Sequence, residues 1–233
     1  MRKAMAKFLK RSLNALMDDI FYKDSRNIER WRQRKALEET GIFVEQNMPL
    51  VQSFGGRYAL MRFAVETAKA TSETGLVCEF GVAAGKSINF IARLLPTMTV
   101  YGFDSFEGLP EDWRDGLPKG HFKVGRLPRV ASNVVLIPGW FEETLPDFLE
   151  KHPQKALFLH IDCDLYSSTK TVFDAMEQRI GAGTVILFDE FFNYPGWKEG
   201  EYKAFTEFVA RSQIPFNYIG YNRYGTQVAI QVV

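Results

Sequence analysis

The apolar residues of the chain follow two patterns, and the change from one to the other comes near residue 70. Over 8–21 they recur at helical spacing, whereas from residue 76 onward short apolar runs alternate with segments of helical period. Nearly continuous apolar runs are typical of parallel strands that are covered on both faces. The pattern therefore predicts strands over 76–80, 99–103, 134–137, 156–161 and 184–188.

The segments between these runs predict helices, and the clearest of them lies over 168–179. Ser168 is a candidate N-cap, Gly181 follows the last turn, and the apolar side chains between them fall on one side of the helix. Strands that alternate with helices indicate an α/β fold with a doubly wound, parallel sheet.

The C-terminal end of the chain departs from this alternation. Two further apolar runs, 216–221 and 227–233, are separated only by the residues NRYGT, which are too few for a crossover between parallel strands. The last strand should therefore run antiparallel to its neighbour, in a mostly parallel sheet of seven strands. We divide the chain into an N-terminal helical accessory segment, 1–70, and an α/β domain, 71–233.

The accessory segment begins with a basic amphipathic helix. Its apolar positions are Phe8, Leu9, Leu13, Leu16, Met17, Ile20 and Phe21. Its basic positions are Arg2, Lys3, Lys7, Lys10 and Arg11. Such a stripe predicts packing against the chain's own domain or a second subunit, and the alternative is peripheral contact with an anionic membrane surface. We expect a homo-oligomer.

Composition narrows the class of protein. The 233 residues are 46% hydrophobic and 24% charged with a net charge of +1, which indicates one well-buried domain and no nucleic-acid partner. Cys78 and Cys163 lie inside apolar runs and in no metal or redox spacing, which favours buried thiols in a reducing compartment. The sequence shows neither a cleavable leader nor 18 consecutive apolar residues, and we expect a cytoplasmic protein.

The stretch CEFGVAAGKS, 78–87, allows two interpretations. A phosphate-binding loop has four residues between its first glycine and Gly-Lys, but Gly81 and Gly85 enclose only three. The run VILFDE, 185–190, looks like the strand that holds magnesium in such NTPases, so this alternative stays open. In the second interpretation, Glu79, Gly81 and Gly85 form a turn whose glycines let the backbone approach a different ligand.

An acidic residue after the second predicted strand supports the second interpretation. Asp104 stands where an acidic side chain of a nucleotide-binding α/β fold binds two ribose hydroxyls, as it would in a NAD-binding fold too. These residues resemble class I S-adenosylmethionine-dependent methyltransferases, in which the turn passes the methionine part and this acid binds the ribose. The resemblance makes S-adenosylmethionine the expected cofactor, with contacts from Glu79, Gly81, Ala83, Gly85, Ser87, Asp104 and Ser105.

Four longer motifs narrow the resemblance to the macrocin O-methyltransferase family, which methylates sugar hydroxyls on antibiotics and related glycosides. The motifs are GFDSFEGLPEDW (102–113), GWFEETLP (139–146), HIDCDLYSST (160–169) and FDEFFNYPGWKEGEYKAF (188–205). The resemblance covers 76–233 and implies a Rossmann-like class I methyltransferase fold. It also places Gly139 and Trp140 near the adenine.

Four carboxylates follow two strands that should be neighbours in the sheet. Asp162 and Asp164 come after the fourth predicted strand, and Asp189 and Glu190 after the fifth. Ligands bind outside the carboxyl ends of such strands, and crowded carboxylates need a cation or shared protons, so we expect Mg²⁺ here. By the resemblance, the metal ligands are Asp162, Asp189 and Glu190, with Glu190 where an aspartate is typical. Asp162 would also contact the cofactor.

A general base and a substrate site complete the prediction. Asp164 is the first candidate for the base that takes the proton of the acceptor hydroxyl. His121 is the second, in the long segment 105–133 that we expect to act as a lid. His160 is predicted to be a packed core histidine. The substrate candidates are Tyr166, Tyr194 and Trp197.

The sequence therefore predicts an S-adenosylmethionine-dependent, magnesium-assisted O-methyltransferase. Its acceptor would be a hydroxyl on a small-molecule sugar, a glycoside or a glycan intermediate. Two alternatives stay open. One is a phosphate-loop NTPase that binds ATP through Lys86, and the other is a non-catalytic protein that binds the cofactor or a glycan.

Overall fold

Eight strands form one sheet in the computed structural model, which describes residues 2–114 and 116–233. The strands are β1 (Ser53–Phe54), β2 (Leu76–Phe80), β3 (Val100–Asp104), β4 (Val134–Pro138), β5 (Ala156–Ile161), β6 (Val185–Phe188), β7 (Phe216–Asn222) and β8 (Val228–Val232). The helices of the described residues are α1 (Arg2–Ser25), α2 (Ile28–Asn47), α3 (Arg57–Thr71), α4 (Lys86–Leu94), α5 (Phe141–Lys151), α6 (Tyr166–Met176) and α7 (Glu201–Ser212).

The sheet order is β1-β7-β8-β6-β5-β2-β3-β4, and β8 runs antiparallel to both of its neighbours while the other pairs are parallel. The doubly wound, mostly parallel sheet with an antiparallel last strand is thus confirmed. The described residues form eight strands rather than the predicted seven, because β1 is two residues long and has no apolar run. Every residue of β2, β5 and β6 is buried, which explains their continuous apolar pattern.

Helices cover both faces of the sheet. On one face α3 and α4 pack against it, with Leu60 and Ile88 fully buried. On the other face α5, α6 and α7 contribute large apolar side chains such as Phe173 and Phe205. The prediction for α6 needs a correction at its start: the helix begins at Tyr166, and Ser168 lies inside the first turn rather than at the cap. Both cysteines are buried, as predicted.

The N-terminal segment divides into an exposed part and a packed part. The seven apolar side chains of the α1 stripe are between 52% and 75% exposed, so the predicted packing of this stripe on the chain's own domain is contradicted. A second subunit or a membrane as its partner stays a prediction. By contrast, α3 packs on the sheet, and β1, which precedes α3 in the same N-terminal segment, is part of the sheet. The division of the chain at residue 70 stays a prediction. None of the helices in the described residues has the length and apolarity to cross a lipid bilayer.

Candidate active site

The turn after β2 touches the chain that leaves β5. Gly81 has a φ of +92°, and a Cβ at this position would lie 1.8 Å from the backbone oxygen of Asp162. The N–H of Gly81 donates to the Phe103 carbonyl at 2.9 Å, and the N–H of Asp162 donates to the Phe80 carbonyl at 2.9 Å. Only glycine fits so close an approach. The ends of β2, β3 and β5 therefore meet at one point.

Asp104, at the end of β3, fixes the conformation of this turn. Its Oδ2 accepts hydrogen bonds from the backbone N–H groups of Val82 and Ala83 at 2.8 and 2.7 Å. Its Oδ1 accepts from the N–H of Phe106 at 2.6 Å. A carboxylate has about four lone-pair sites, so these three bonds leave capacity for a further donor. A ribose contact from Asp104 stays a prediction.

A cavity of about 510 Å³ opens beside the turn, at the carboxyl ends of the strands. Most of the predicted cofactor residues line it: Gly81, Ala83, Asp104, Ser105, Gly139, Trp140 and Asp162. The other predicted acids line the same cavity, namely Asp164, Asp189 and Glu190. The structure therefore brings most of the predicted cofactor residues and all of the predicted metal ligands into one cavity.

Two of the predicted cofactor residues lie behind the turn instead of in the cavity. Glu79 is fully buried, and its Oε1 accepts a hydrogen bond from the Ser87 hydroxyl at 3.0 Å. Its Oε2 lies 2.9 Å from Nδ1 of His160, which is itself fully buried as predicted. Neither Glu79 nor Ser87 lines the cavity, so this placement does not support direct contact of either residue with the cofactor. Their pair instead supports the turn from inside the sheet.

A third predicted cofactor residue, Gly85, lies in a different depression. Gly85 has a φ of +75° and caps the start of α4, and together with Lys86 and Asn89 it lines a shallow surface depression. A phosphate loop would need the lysine and the metal-binding acids around one nucleotide. Because Lys86 and the acids line different cavities, the structure disfavours the NTPase interpretation.

The predicted metal ligands form two overlapping sets that share Asp162. Ligand atoms of Asp162, Asp164 and Glu190 lie within 4.8 Å of one another, and so do those of His160, Asp162 and Asp189. The set expected from the resemblance is therefore divided between two groups. Asp164, the predicted base, stands among the candidate ligands.

Burial and mutual repulsion perturb these acids strongly. Burial, together with the charge of Asp189, raises the pKa of Asp164 to about 7. The same two causes raise the pKa values of Asp162 and Glu190 well above the ordinary range. Burial and the charge of Asp164 raise the pKa of Glu201, whose Oε2 accepts the N–H of Glu190 at 3.0 Å. The cluster therefore needs protons or a cation to offset its charge.

Two charged residues of this site, Arg57 and Arg114, were missed by the sequence analysis. Arg57, the first residue of α3, lies 3.0 Å from Asp189 and 3.4 Å from Asp162. Arg114 lines the cavity with its guanidinium 4.0 Å from the centre of the Trp113 ring. Glu201 is buried behind Glu190. The available signal for Arg57 was a basic residue in the first turn of a helix, where the helix dipole disfavours positive charge.

The second candidate for the base does not reach the acids. The backbone oxygen of His121 accepts the N–H of Leu109 at 2.9 Å, and its ring packs 4.4 Å from that of Phe122. Phe122 lines the cavity, whereas His121 does not. Part of the predicted lid segment lines the cavity, through residues that include Leu109, Trp113 and Arg114. Its action as a lid stays a prediction.

The three substrate candidates lie outside the cavity. Tyr166 donates its hydroxyl to Glu207 on α7 at 2.7 Å. Tyr194 is 5% exposed and lies behind the cavity wall. Trp197 is 1% exposed, and its ring lies 4.8 Å from that of Tyr202. These placements correct the prediction that the rings of Tyr194 and Trp197 stack on a sugar, because packing leaves neither ring a free face.

Comparison with known proteins identifies the segment that carries this cavity. Residues 78–191, about half of the chain, match a family described as a methyltransferase domain. These residues are therefore similar to a methyltransferase domain. The match runs from β2 past β6 and so includes the glycine turn, Asp104 and all four predicted acids.

Two curated relatives from Streptomyces are similar in sequence to this chain. The 8-demethyl-8-(2,3-dimethoxy-α-L-rhamnosyl)-tetracenomycin-C 4′-O-methyltransferase of Streptomyces olivaceus is 26% identical, in an alignment that covers 56% of this chain and 58% of the relative. The demethyldecarbamoylnovobiocin O-methyltransferase of Streptomyces niveus is 27% identical, in an alignment that covers 62% of this chain and 64% of the relative. The chain thus spans less than two thirds of the length of these relatives.

A solved structure has the same fold as this chain. The calicheamicin methyltransferase CalS11 has a TM-score of 0.60 at 22% identity, over 87% of this chain and 92% of that one. The likeness extends well beyond 78–191 in both directions. The Rossmann-like class I architecture implied by the sequence motifs is therefore confirmed.

Proposed function

We propose that the protein is an S-adenosylmethionine-dependent O-methyltransferase that acts on a hydroxyl of a sugar, a glycoside or a glycan intermediate, with Mg²⁺ assistance. One observation carries the proposal. The glycine turn with Asp104 and the acid cluster share one cavity inside the methyltransferase domain. A cofactor site and a hydroxyl-activating site in one cavity are what such a transfer requires.

The acceptor class is proposed from the names of the relatives. The Streptomyces olivaceus relative is named for methylation of a compound that carries a rhamnosyl group, and both relatives are named O-methyltransferases. The cavity wall agrees with a hydroxyl-rich acceptor, because it offers carboxylates together with the guanidinium of Arg114. Sugar hydroxyls can bond to either kind of group.

The acids of the cavity fit a hard divalent cation. Their donors are carboxylate oxygens, which Mg²⁺ prefers, and Oδ1 of Asp189 and Oε2 of Glu190 are buried without a hydrogen-bond partner. Asp162, Asp189 and Glu190 would hold the ion, with Asp164 beside them. Mg²⁺ bound here would lower the pKa of an acceptor hydroxyl and position it.

The chain's own residues would then prepare the transfer from the sulfonium methyl of S-adenosylmethionine. The glycine turn and Asp104 bind and orient the cofactor, and Trp140 closes one side of the cavity. Asp164 holds a carboxylate at the cavity wall with a pKa raised to about 7 by burial and by Asp189. A cation bound beside Asp164 would lower this pKa, so that the carboxylate is ionised and can accept the proton of the hydroxyl at neutral pH.

The experiment that tests the proposal is calorimetric titration with S-adenosylhomocysteine. We expect the wild-type protein to bind it, and Asp104→Asn to weaken the affinity by at least about tenfold, because the variant loses the charge that organises the turn. Tyr166→Phe is the matched control, since that hydroxyl bonds to Glu207 outside the cavity. Titration with ATP and Mg²⁺ tests the disfavoured NTPase alternative.

A second step separates an enzyme from a non-catalytic binder. With the cofactor bound, an acceptor screen on rhamnosides and other glycosides, with and without Mg²⁺, should give methylated products detectable by mass spectrometry. ATP binding without any response to S-adenosylhomocysteine would overturn the proposal. Cofactor binding without turnover on any polyol would favour the binding protein.

A further inference from the structure

A guanidinium group, that of Arg57, contacts two of the acids in the cluster. Nη2 of Arg57 is 3.0 Å from Oδ1 of Asp189 and 3.4 Å from Oδ2 of Asp162. Although burial works against the charged form, the charges of Asp189 and Asp162 raise the pKa of Arg57. In the metal-free protein, Arg57 therefore supplies the positive charge that these two carboxylates need.

The pairing between Arg57 and the acids is incomplete. A single nitrogen, Nη2, meets both carboxylates, and Nε of Arg57 is buried without a hydrogen-bond partner. Oδ1 of Asp189, a residue only 5% exposed, makes no hydrogen bond despite the 3.0 Å contact. The two-pronged pairing that arginine makes with a well-matched carboxylate is absent from this contact.

A second buried atom in the same place also lacks a partner. Nε2 of His160 is fully buried, makes no hydrogen bond and lies 4.0 Å from the same Oδ1 of Asp189. Buried polar atoms without partners are rare in folded proteins, and each one calls for an explanation. Here Asp162, Asp189 and His160 together indicate a ligand that matches their oxygen and nitrogen atoms better than the guanidinium does.

Arg57 is placed so that it can leave these acids. Its side chain is 37% exposed and lines the cavity, so the guanidinium has a path to solvent. Gly55 and Gly56 directly precede it, and both have open space around the position of a Cβ. A change of the Arg57 side chain therefore needs no rearrangement of the buried part of α3.

We infer that Arg57 is an internal cation that holds Asp162 and Asp189 in the metal-free protein and competes with a divalent ion for them. The inference rests on the metal site of the proposed function and assigns a new residue to it. The guanidinium and the ion need the same carboxylate oxygens and repel each other, so both cannot occupy this contact. Metal affinity is thereby set by a residue outside the ligand set.

The test measures Mn²⁺ binding without cofactor, by calorimetry and by the loss of the free Mn²⁺ signal in electron paramagnetic resonance. We expect Arg57→Gln to bind Mn²⁺ about tenfold or more tightly than the wild type, because the competitor is gone. Arg57→Lys, which keeps the charge, should stay close to the wild type. The matched control is Arg62→Gln, because Arg62 lies on the exposed side of the same helix and carries the same charge.

Thermal unfolding gives a second measurement that does not depend on activity. Without metal, Arg57→Gln should melt at a lower temperature than Arg62→Gln, since it leaves the carboxylates of Asp162 and Asp189 without their cationic partner, and Mn²⁺ should restore the melting temperature. Equal Mn²⁺ affinity in the wild type and Arg57→Gln would overturn the inference. Absence of Mn²⁺ binding in every variant would overturn it as well.

The same variants separate this inference from the proposed function. If the wild type binds S-adenosylhomocysteine while Arg57→Gln leaves the Mn²⁺ affinity unchanged, the inference fails and the methyltransferase proposal stands. If Arg57→Gln loses affinity for S-adenosylhomocysteine alone, Arg57 recognises the carboxylate of the cofactor, and its role as an internal cation is wrong. If no protein binds S-adenosylhomocysteine, the proposed function itself fails.

Discussion

The glycine turn and the acid cluster lie at the same edge of the sheet but differ in how their charges are satisfied. In the turn, three backbone N–H groups donate to the single carboxylate of Asp104. In the cluster, buried oxygens of Asp189, Glu190 and Glu201 have no hydrogen-bond partner. The turn is therefore complete without a ligand, whereas the cluster is completed only by protons, by Arg57 or by a bound cation.

The difference shows how one cavity can combine a turn of fixed conformation with acids whose charge depends on pH. The turn keeps its conformation because three backbone N–H groups are held together by one carboxylate, that of Asp104. The cluster changes its charge near neutral pH, because burial and Asp189 raise the pKa of Asp164 to about 7. We expect substitutions in the turn to act through the fold and substitutions in the cluster to act through charge.

The largest effect should come from Gly81→Ala. The added Cβ would lie 1.8 Å from the Asp162 carbonyl oxygen, at a φ of +92° that disfavours alanine, so the ends of β2 and β5 must separate. We expect a loss of roughly 3 kcal/mol or more in the free energy of unfolding, measured by urea denaturation. Binding of S-adenosylhomocysteine should be lost as well. Gly125→Ala is the control, because open space surrounds Gly125.

A smaller effect should come from Asp164→Asn, and it should depend on pH. Because the folded protein raises the pKa of Asp164 from about 3.9 to about 7, it binds more protons than the unfolded chain between these values, and its stability falls as pH rises. In metal-free buffer the free energy of unfolding of the wild type should fall between pH 5 and 8. We expect this fall to be smaller by roughly 2 kcal/mol in Asp164→Asn. Asparagine also tolerates the φ of +64° at this position.

Denaturation curves at several pH values check this prediction. Asp147→Asn serves as the control, because Asp147 is exposed on α5 and away from the cluster. Parallel pH profiles for the wild type and Asp164→Asn would contradict the charge-based account of the cluster. With Mg²⁺ present, the two profiles should converge at high pH, since the cation offsets the charge of the carboxylates.

The smallest effect should come from Ser87→Ala, in the link between the two regions. Glu79 is bonded to Ser87 on the side of the turn and to His160 on the side of the cluster. Loss of the Ser87 hydroxyl should cost about 1 to 2 kcal/mol and lower the melting temperature by a few degrees, while cofactor affinity stays within about twofold. An unchanged melting temperature would show that Glu79 is satisfied without this bond.

The same two regions show what the sequence could predict. The turn, Asp104 and the four acids were predictable because they stand at the ends of buried strands, whose apolar runs mark their positions. Arg57 was not, because it belongs to a segment outside the motifs and reaches the acids only through the packing of α3 on the sheet. Glu79 matched a cofactor pattern, but the pattern could not show that its side chain turns inward to His160.

Packing also explains why Tyr194 and Trp197, which were predicted to contact the substrate, are core residues instead. A tryptophan in the loop after β6 is compatible with a surface that stacks on a sugar and with a core position, and the outcome depends on residues far away in the chain. Trp197 packs 5.6 Å from Phe43 of α2 and is therefore a core residue. No local signal near Trp197 reports a contact with α2.

The position of β8 between β6 and β7 has a consequence for anyone who shortens this protein. The family match ends at residue 191, before the two strands that complete the sheet. A fragment cut there would leave β6, the strand that precedes Asp189, with an open hydrogen-bonding edge, and such edges pair with other chains and aggregate. The boundaries of sequence similarity are thus not the boundaries of a unit that can be expressed, exchanged or fused on its own.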